Sequence, residues 1–322
     1  MAGLLQTLTG CERPLDPGER TPIGFLTECK LRVGDGAEAA FEWTRENAAA
    51  VVDRFRDGAE AAIEAVVAVL QDPPNTGWLR DIPRREVEYL YPPDWHPFVV
   101  IGLLAALTFA LHRRAGVTLL VLLGLLFVVN QGYWDETTES LTLVLFACAV
   151  CMAVGVPIGI AAAHRPALYR GMRPVLDLMQ TLPTFVYLIP AIVFFGIGMV
   201  PGLIATVVFV LPAPIRLTHL GVSSTPKPLI EAVEAFGGTR RNVLWKAELP
   251  HALPQIMAGL NQTIMLSLSM VVIAALVGAD GLGVPVVRAL NSVNTGLGFE
   301  SGIVIVVVAI MLDRMLRVDR RR

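Results

Sequence analysis

The stretch P-L-I-E-A-V-E-A-F-G-G-T-R-R-N-V-L-W-K-A-E-L-P, residues 228–250, is charged, carries its own helix start and stop signals, and lies between two apolar runs. Pro228 suits a first helical position and 229–236 follow without a breaker. Gly237-Gly238 supplies the stop, at a turn that asks for a positive φ. Thr239 then N-caps a second helix over 240–248, which Pro250 closes. Glu231 and Glu234 fall in the first turns of the first helix, where the helix dipole favours a carboxylate, while Arg240, Arg241 and Lys246 make the second helix basic. The pattern alone also suits any solvated loop. Its alternative reading is a helix pair built to be gripped from outside.

On both sides the chain is far too apolar for a soluble domain of 322 residues: 54% of them are hydrophobic, and the excess is concentrated after residue 97. Apolar runs of span length or nearly so lie at 98–111, 115–129, 141–163, 184–200, 202–220, 256–279 and 302–312. The first two are short, but merging them would bury His112-Arg113-Arg114 in hydrocarbon at roughly 2.5 to 3.5 kcal/mol per Arg. A hairpin with a basic turn is therefore expected over 98–136.

Orientation follows from Lys and Arg in the short loops. One side carries Arg113, Arg114, Arg165, Arg170, Arg173, Arg216, Lys227, Arg240, Arg241, Lys246, Arg314, Arg317, Arg320, Arg321 and Arg322; the other carries only Arg288. This bias predicts that the 221–255 loop and the basic 317–322 terminus are cytoplasmic. Seven spans then put the tail, 1–97, outside. The overall charge of −2 gives no reason to expect a nucleic-acid partner.

Within the tail, periodicity predicts an amphipathic helix over 37–70, with Phe41, Ala48, Val51, Phe55, Ala62, Val66 and Leu70 on one face. Asp35 with Glu38 forms a capping box ahead of it, and Asp72-Pro73-Pro74 ends it. Two readings stay open: the helix lies on the membrane surface, or it packs against the first spans. Its acid-rich polar face disfavours the first. Residues 73–97, with Trp78, Tyr89, Tyr91 and Trp95, read as a linker ending in an aromatic interfacial belt. The Leu8-Thr9-Gly10-Cys11 box has no basic segment before it, so no leader is expected. Cys148 and Cys151 share a C-x-x-C spacing in mid-span without a nearby His, which points to packing and not to metal. Cys11 and Cys29 can pair if the tail is outside.

A primary pump needs a phosphate-cradling G-x-x-x-x-G-K-[ST] loop. The three lysines, Lys30, Lys227 and Lys246, follow no Gly. No cofactor is expected, and energy has to arrive through a partner. An ion-coupled secondary transporter, the alternative, needs ionisable groups inside the membrane. Asp177, Asp280, Glu300 and Asp313 all sit near span ends. Pro157, Pro190, Pro212 and Pro214 interrupt spans, as is tolerated where a span faces protein or a water-filled path.

The 228–250 spacing, E-A-x at 231–233, Gly237, then A-x-Leu249-Pro250, resembles the EAA loop of permease subunits in binding-protein-dependent ABC importers. Val233 and Ala247 depart from the usual residues there while staying small or apolar. D-x-M-Q-T-x-P-x-F-V-Y-L-x-P at 177–190, F-G-I-G-x-V-P-G at 195–202, Leu211-Pro212 with I-R-L-T at 215–218, M-A-G-x-N-Q-T at 257–263, L-S-M-V-V-I-A at 268–274 and Gly281-Leu282-Gly283 are similar to permeases of the glycine betaine/proline betaine/choline branch. The likeness covers about 137–316. It implies an all-α membrane protein with a type I ABC importer transmembrane domain, a bacterial plasma-membrane location, a homodimer, two separate ATPase subunits and an external binding protein. The permease itself would be non-catalytic.

On this resemblance Glu231, Ala232, Glu234, Gly237, Arg240, Leu249 and Pro250 form the ATPase-coupling loop. A quaternary ammonium has no hydrogen to donate, so aromatic faces recognise it by cation–π contact. Phe185, Tyr187 and Phe209 are candidates for the substrate path, together with Asn261 and Ser269 from the matched motifs. Asp135, Glu136, Asp280 and Glu300 are candidates for an acidic outer mouth.

Overall fold

The structure is a computed structural model that describes residues 9–10, 30–31, 33–71 and 95–316. The cysteine pair of the tail, the 72–74 stop, most of the aromatic linker and the basic 317–322 terminus lie outside these residues. The chain divides into two compact units, 1–55 and 56–322. In the first, β1 (Thr9–Gly10) and β2 (Lys30–Leu31) pair antiparallel. The first unit also holds the start of α1 (Val33–Gln71), which continues into the second. α1 begins two residues ahead of Asp35, so that residue is not its cap.

The remaining elements are α2 (His96–His112), α3 (Ala115–Asn130), α4 (Trp134–His164), α5 (Pro166–Thr181), α6 (Thr184–Phe195), α7 (Met199–Val210), α8 (Pro212–Ser223), α9 (Lys227–Ala235), α10 (Arg240–Val243), a π-helical segment (Leu244–Glu248), α11 (Leu249–Ala275), α12 (Gly283–Asn291) and α13 (Thr295–Leu316). Among the described residues, four helical stretches are long and apolar enough to cross a membrane: Trp134–His164, Met199–Ser223, Arg240–Ala275 and Thr295–Met315. α5 and α6 form a fifth if taken together, bent by 95°. α2 and α3 are shorter, 17 and 16 residues, joined through Arg113-Arg114. Each is about 25 Å long at ~1.5 Å per residue.

The break between the fourth and fifth apolar runs falls at 196–198, earlier than the sequence reading. The Gly198 N–H donates to the Val277 carbonyl (2.9 Å), which pins this connection to the end of α11. A matching pin holds the 276–282 turn: the Leu282 N–H donates to Ser140 Oγ (2.8 Å) and to the Glu136 carbonyl (3.1 Å). Gly281 has φ +120°, and a Cβ there would collide with Ser140, so this turn needs glycine.

Lipid tails are as apolar as leucine, so helices in a membrane associate by close packing of small residues and not by escape from water. α8 is clamped in this way between α4 and α11. A Cβ on Gly159 would come within 2.6 Å of Thr218 Cβ, and one on Gly155 within 2.8 Å of Pro214 Cγ. On the other side, a Cβ on Gly221 would lie 2.9 Å from Gln255 Cβ. The largest apolar cluster joins Val121, Leu125 and Val128 of α3, Val144 and Cys148 of α4, Ile264 and Leu268 of α11, and Val304 and Val308 of α13. Cys148 and Cys151 are both buried, and no metal-holding group occurs among the described residues.

Between residues 56 and 71, α1 packs along the membrane helices. Ile63, 2% exposed, meets Ala147 of α4 and Val200 and Leu203 of α7, and the Gln71 side chain donates to Thr138 Oγ1 (2.8 Å) and the Asp135 carbonyl (3.1 Å). The contacts are chiefly to the third and later spans, although Leu70 reaches the cluster built on α2 and α3. The upper part of the expected apolar stripe is open: Val51 and Phe55 are exposed.

Candidate functional site

α9 starts at Lys227, with Pro228 in its first turn as the sequence predicts. Glu231 therefore sits one residue further in than expected, and no acidic residue occupies the first turn. The helix stops where Gly237 takes φ +77°, its N–H donating to the Glu234 carbonyl (2.8 Å) and that of Gly238 to the Val233 carbonyl (3.0 Å). A Cβ on Gly238 would collide with Val233, so both glycines are required, for different reasons. Thr239 caps the next helix as expected, its hydroxyl accepting from the Asn242 N–H (3.4 Å).

Pro250 does not close that helix. Residues 240–275 form one continuous helical stretch in which Pro250 occupies the first turn of α11. The turn just ahead of it is π-helical, with the Leu249 N–H bonded to the Leu244 carbonyl. A proline ring collides with the carbonyl four residues back in a regular helix, and the wider turn relieves that clash. Leu249, half-buried, joins an apolar cluster of Val222, Ala252, Ile256, Ile160 and Ala163 at the foot of α4, α8 and α11.

The element thus has an open half and a rooted half. α9 contains no buried residue; Glu231, Ala232, Glu234 and Gly237 are exposed, Phe236 is 94% exposed, and Arg240 is exposed at the start of α10. From Val243 onward the chain turns inward, with Val243, Ala247 and Glu248 buried. Trp245 remains on the outer side, 62% exposed. The Glu248 carboxylate meets His164 Nε2 at 2.9 and 3.2 Å. This pairing, 84 residues apart in sequence, and the exposed aromatics Phe236 and Trp245 were not among the residues singled out from sequence. The A-E-L-P ending was the available signal for Glu248; His164 gave none.

α5, which packs against α4, α7 and α8, carries Asp177 of the 177–190 motif. Asp177 Oδ1 pairs with Arg216 of α8 at 2.7 Å, and the Tyr169 ring stacks on His219 with centroids 3.6 Å apart. Two motif segments therefore meet in space. Both ions are a third or more exposed, so the pair fixes orientation more than stability.

The path candidates are less concentrated. Tyr187 and Phe209 share an apolar cluster with Leu188, Ala191, Ala205, Met270 and Val277, and the Tyr187 hydroxyl donates to the Met179 carbonyl (2.9 Å) across the α5–α6 bend. Phe185 stands apart, exposed. Asn261 and Ser269 lie two turns apart on α11; the Ser269 hydroxyl donates to the Met265 carbonyl (3.1 Å), and Asn261 Oδ1 is buried without a partner. At the opposite end, Asp135, Glu136, Asp280 and Glu300 gather around Tyr133 and the start of α4. Burial, then a hydrogen bond and charge from Glu300, raises the Tyr133 phenol above its ordinary pKa, so it stays a neutral donor.

Residues 155–318 match the family described as "Binding-protein-dependent transport system inner membrane component". The glycine betaine transport system permease protein OpuAB of Bacillus subtilis is 52% identical over 211 residues, 66% of this chain and 74% of that one. The glycine betaine/carnitine transport permease protein GbuB of Listeria monocytogenes is 45% identical over 70% of this chain and 81% of its own. The glycine betaine/proline betaine permease ProW of Escherichia coli is 46% identical over 62% of this chain and 56% of its own. Among solved structures, an inward-facing form of the MetNI methionine ABC transporter matches with a TM-score of 0.51 at 23% identity, covering 57% of this chain and 94% of that one, a likeness of fold. With the two-helix insert seated between the same membrane helices that the family match spans, this chain belongs to the binding-protein-dependent transport system inner membrane components, the permease subunits of ABC importers.

Proposed function

We propose that this chain is the permease subunit of an ATP-driven, binding-protein-dependent importer of quaternary ammonium osmoprotectants, of the glycine betaine, proline betaine or choline class. The observation that carries the reading is the 227–248 element: an exposed helix tipped by Phe236 and a glycine turn, continuous at its root with a membrane helix. An exposed aromatic beside a rigid turn suits insertion into a partner's groove. The names of the relatives supply the solute class.

The 221–255 loop faces the cytoplasm, in keeping with the basic side of the chain, and the tail faces outward. Two copies related by a two-fold axis present two such elements to two ATPase subunits, which hydrolyse ATP while this chain does not. Closure of the ATPase pair brings the elements together, and the α5–α6 bend lets the path switch sides. The external binding protein delivers the solute. Phe185, Tyr187, Phe209, Asn261 and Ser269 border its path, and Asp135, Glu136, Asp280 and Glu300 draw a cation to the mouth.

An ion-coupled mechanism finds no support in the long apolar helices. Their acidic residues stay at the ends: Asp135, Glu136 and Glu139 at the start of α4, Glu300 and Asp313 at the two ends of α13, and Glu248 ahead of α11. The test is uptake of labelled glycine betaine, with choline as competitor, by liposomes holding the permease, its ATPase and the binding protein. Uptake that needs ATP and all three components is expected. Accumulation by the permease alone on an ion gradient would overturn the proposal.

A further inference from the structure

We propose that Glu248 and His164 are the positioning pair through which movement of the 227–248 element enters α4. This rests on the importer reading above and adds to it a specific joint.

Glu248 is the last residue of the π-helical turn and only 7% exposed, yet it carries a carboxylate. Both its oxygens face His164 Nε2, at 2.9 and 3.2 Å. The other ring nitrogen, Nδ1, lies 2.9 Å from the Ile160 carbonyl, which can only accept. The ring is therefore held at both nitrogens, Nδ1 by its own helix and Nε2 by Glu248. The contact is a directed imidazole–carboxylate pair in which both ring nitrogens and both carboxylate oxygens have a partner. It stands at the edge of the apolar cluster of Ile160, Ala163, Val222, Leu249 and Ala252, where a lone carboxylate would be costly.

Position gives the pair its consequence. His164 is the final residue of α4, so the pair holds the end of a 31-residue helix. The other end of that helix, at Glu136 and Ser140, accepts both hydrogen bonds from the Leu282 N–H and so holds the 276–282 turn. One continuous helix, running through Pro157 without a break, thus connects the root of the exposed element to a turn at the far side of the membrane body. The π-helical turn next to Glu248 is the place where α10 and α11 share a looser ladder, so displacement of α9 and α10 can be taken up there and delivered to His164. Nonpolar contacts in the same cluster resist separation in any direction; a directed hydrogen-bonded pair fixes one register.

The test uses the complete assembly of permease, ATPase and binding protein in liposomes, measuring labelled glycine betaine taken up per ATP hydrolysed. Failure of the unaltered assembly to couple uptake to ATP would count against the importer reading itself, before any variant is compared. Given a coupled assembly, E248Q and H164Q are each expected to lower solute moved per ATP roughly five- to tenfold while hydrolysis continues. H164R, which presents directed N–H donors to the carboxylate, restores the ratio, and E248Q/H164Q is no worse than either single change. An unchanged ratio in H164Q and E248Q would overturn the proposal. So would uptake and hydrolysis falling in equal proportion with no rescue by H164R, the sign of a merely structural role. If E248Q fails to assemble, the half-exposed His164 decides the matter through H164Q against H164R.

Discussion

The two halves of the 227–248 element are built oppositely. α9 buries nothing and ends in a glycine turn with Phe236 almost fully exposed, whereas the 243–248 segment buries Val243, Ala247 and Glu248 and runs on into a membrane helix. An isolated nine-residue helix is marginal in water. α9 keeps its form through the glycine turn that closes it and through contact with the rooted half, and its apolar surface stays free for another molecule. One half is a handle and the other its root, so changes in the root should act on folding and changes in the handle on partner engagement.

The sharpest way to break this contrast lies at the root. In Gly221→Leu, new atoms meet Gln255 Cβ at 2.9 Å and the Ala252 backbone at 3.1 Å. Overpacking of this kind costs about 1–3 kcal/mol, so thermal unfolding of the purified permease should move down by several degrees. An unshifted Tm would deny that α8 is clamped. Phe236→Ala should do the reverse. The melting curve of the permease alone stays in place while its apparent affinity for the ATPase subunit falls roughly tenfold, as for an interface anchor. A loss of permease stability without loss of affinity would reverse the assignment of handle and root.

Gly237→Val tests the turn between them. A β-branched residue at φ +77° is strained by about 1–2 kcal/mol, confined to the turn, so uptake should drop severalfold with the membrane helices intact by circular dichroism. The smallest effect is expected from Asp177→Asn, which removes the exposed pair with Arg216. Below 1 kcal/mol is at stake there, and a large loss of stability would mean that α5 belongs with the root.

Much of this contrast is visible in the chain before folding. Pro228, Gly237-Gly238 and Thr239 act through local backbone rules, and the structure follows them almost residue by residue. Pro250 was read by the same local logic as a stop, and that reading failed because a proline in the first turn of a helix is permitted once the turn ahead of it widens. The Glu248–His164 pair was out of reach for a different cause: its partners meet only when α4 and α11 pack. Tyr187 reads as a recognition aromatic in sequence, yet its hydroxyl is committed to the backbone across the α5–α6 bend. Periodicity places Phe41 to Leu70 of α1 on one apolar stripe, whereas the deeply buried residue among those described is Ile63, beside that stripe, because it is the one that meets α4 and α7.

Ile63 and Gln71 carry one more consequence, for where this protein can be cut. A shortened chain opening at His96, the first residue of α2, would retain every hydrophobic run yet leave Ala147, Val200 and Leu203 without their cover and Thr138 without its amide donor. Trimming is best kept upstream of residue 56, because the membrane body begins with a helix that hydropathy leaves out.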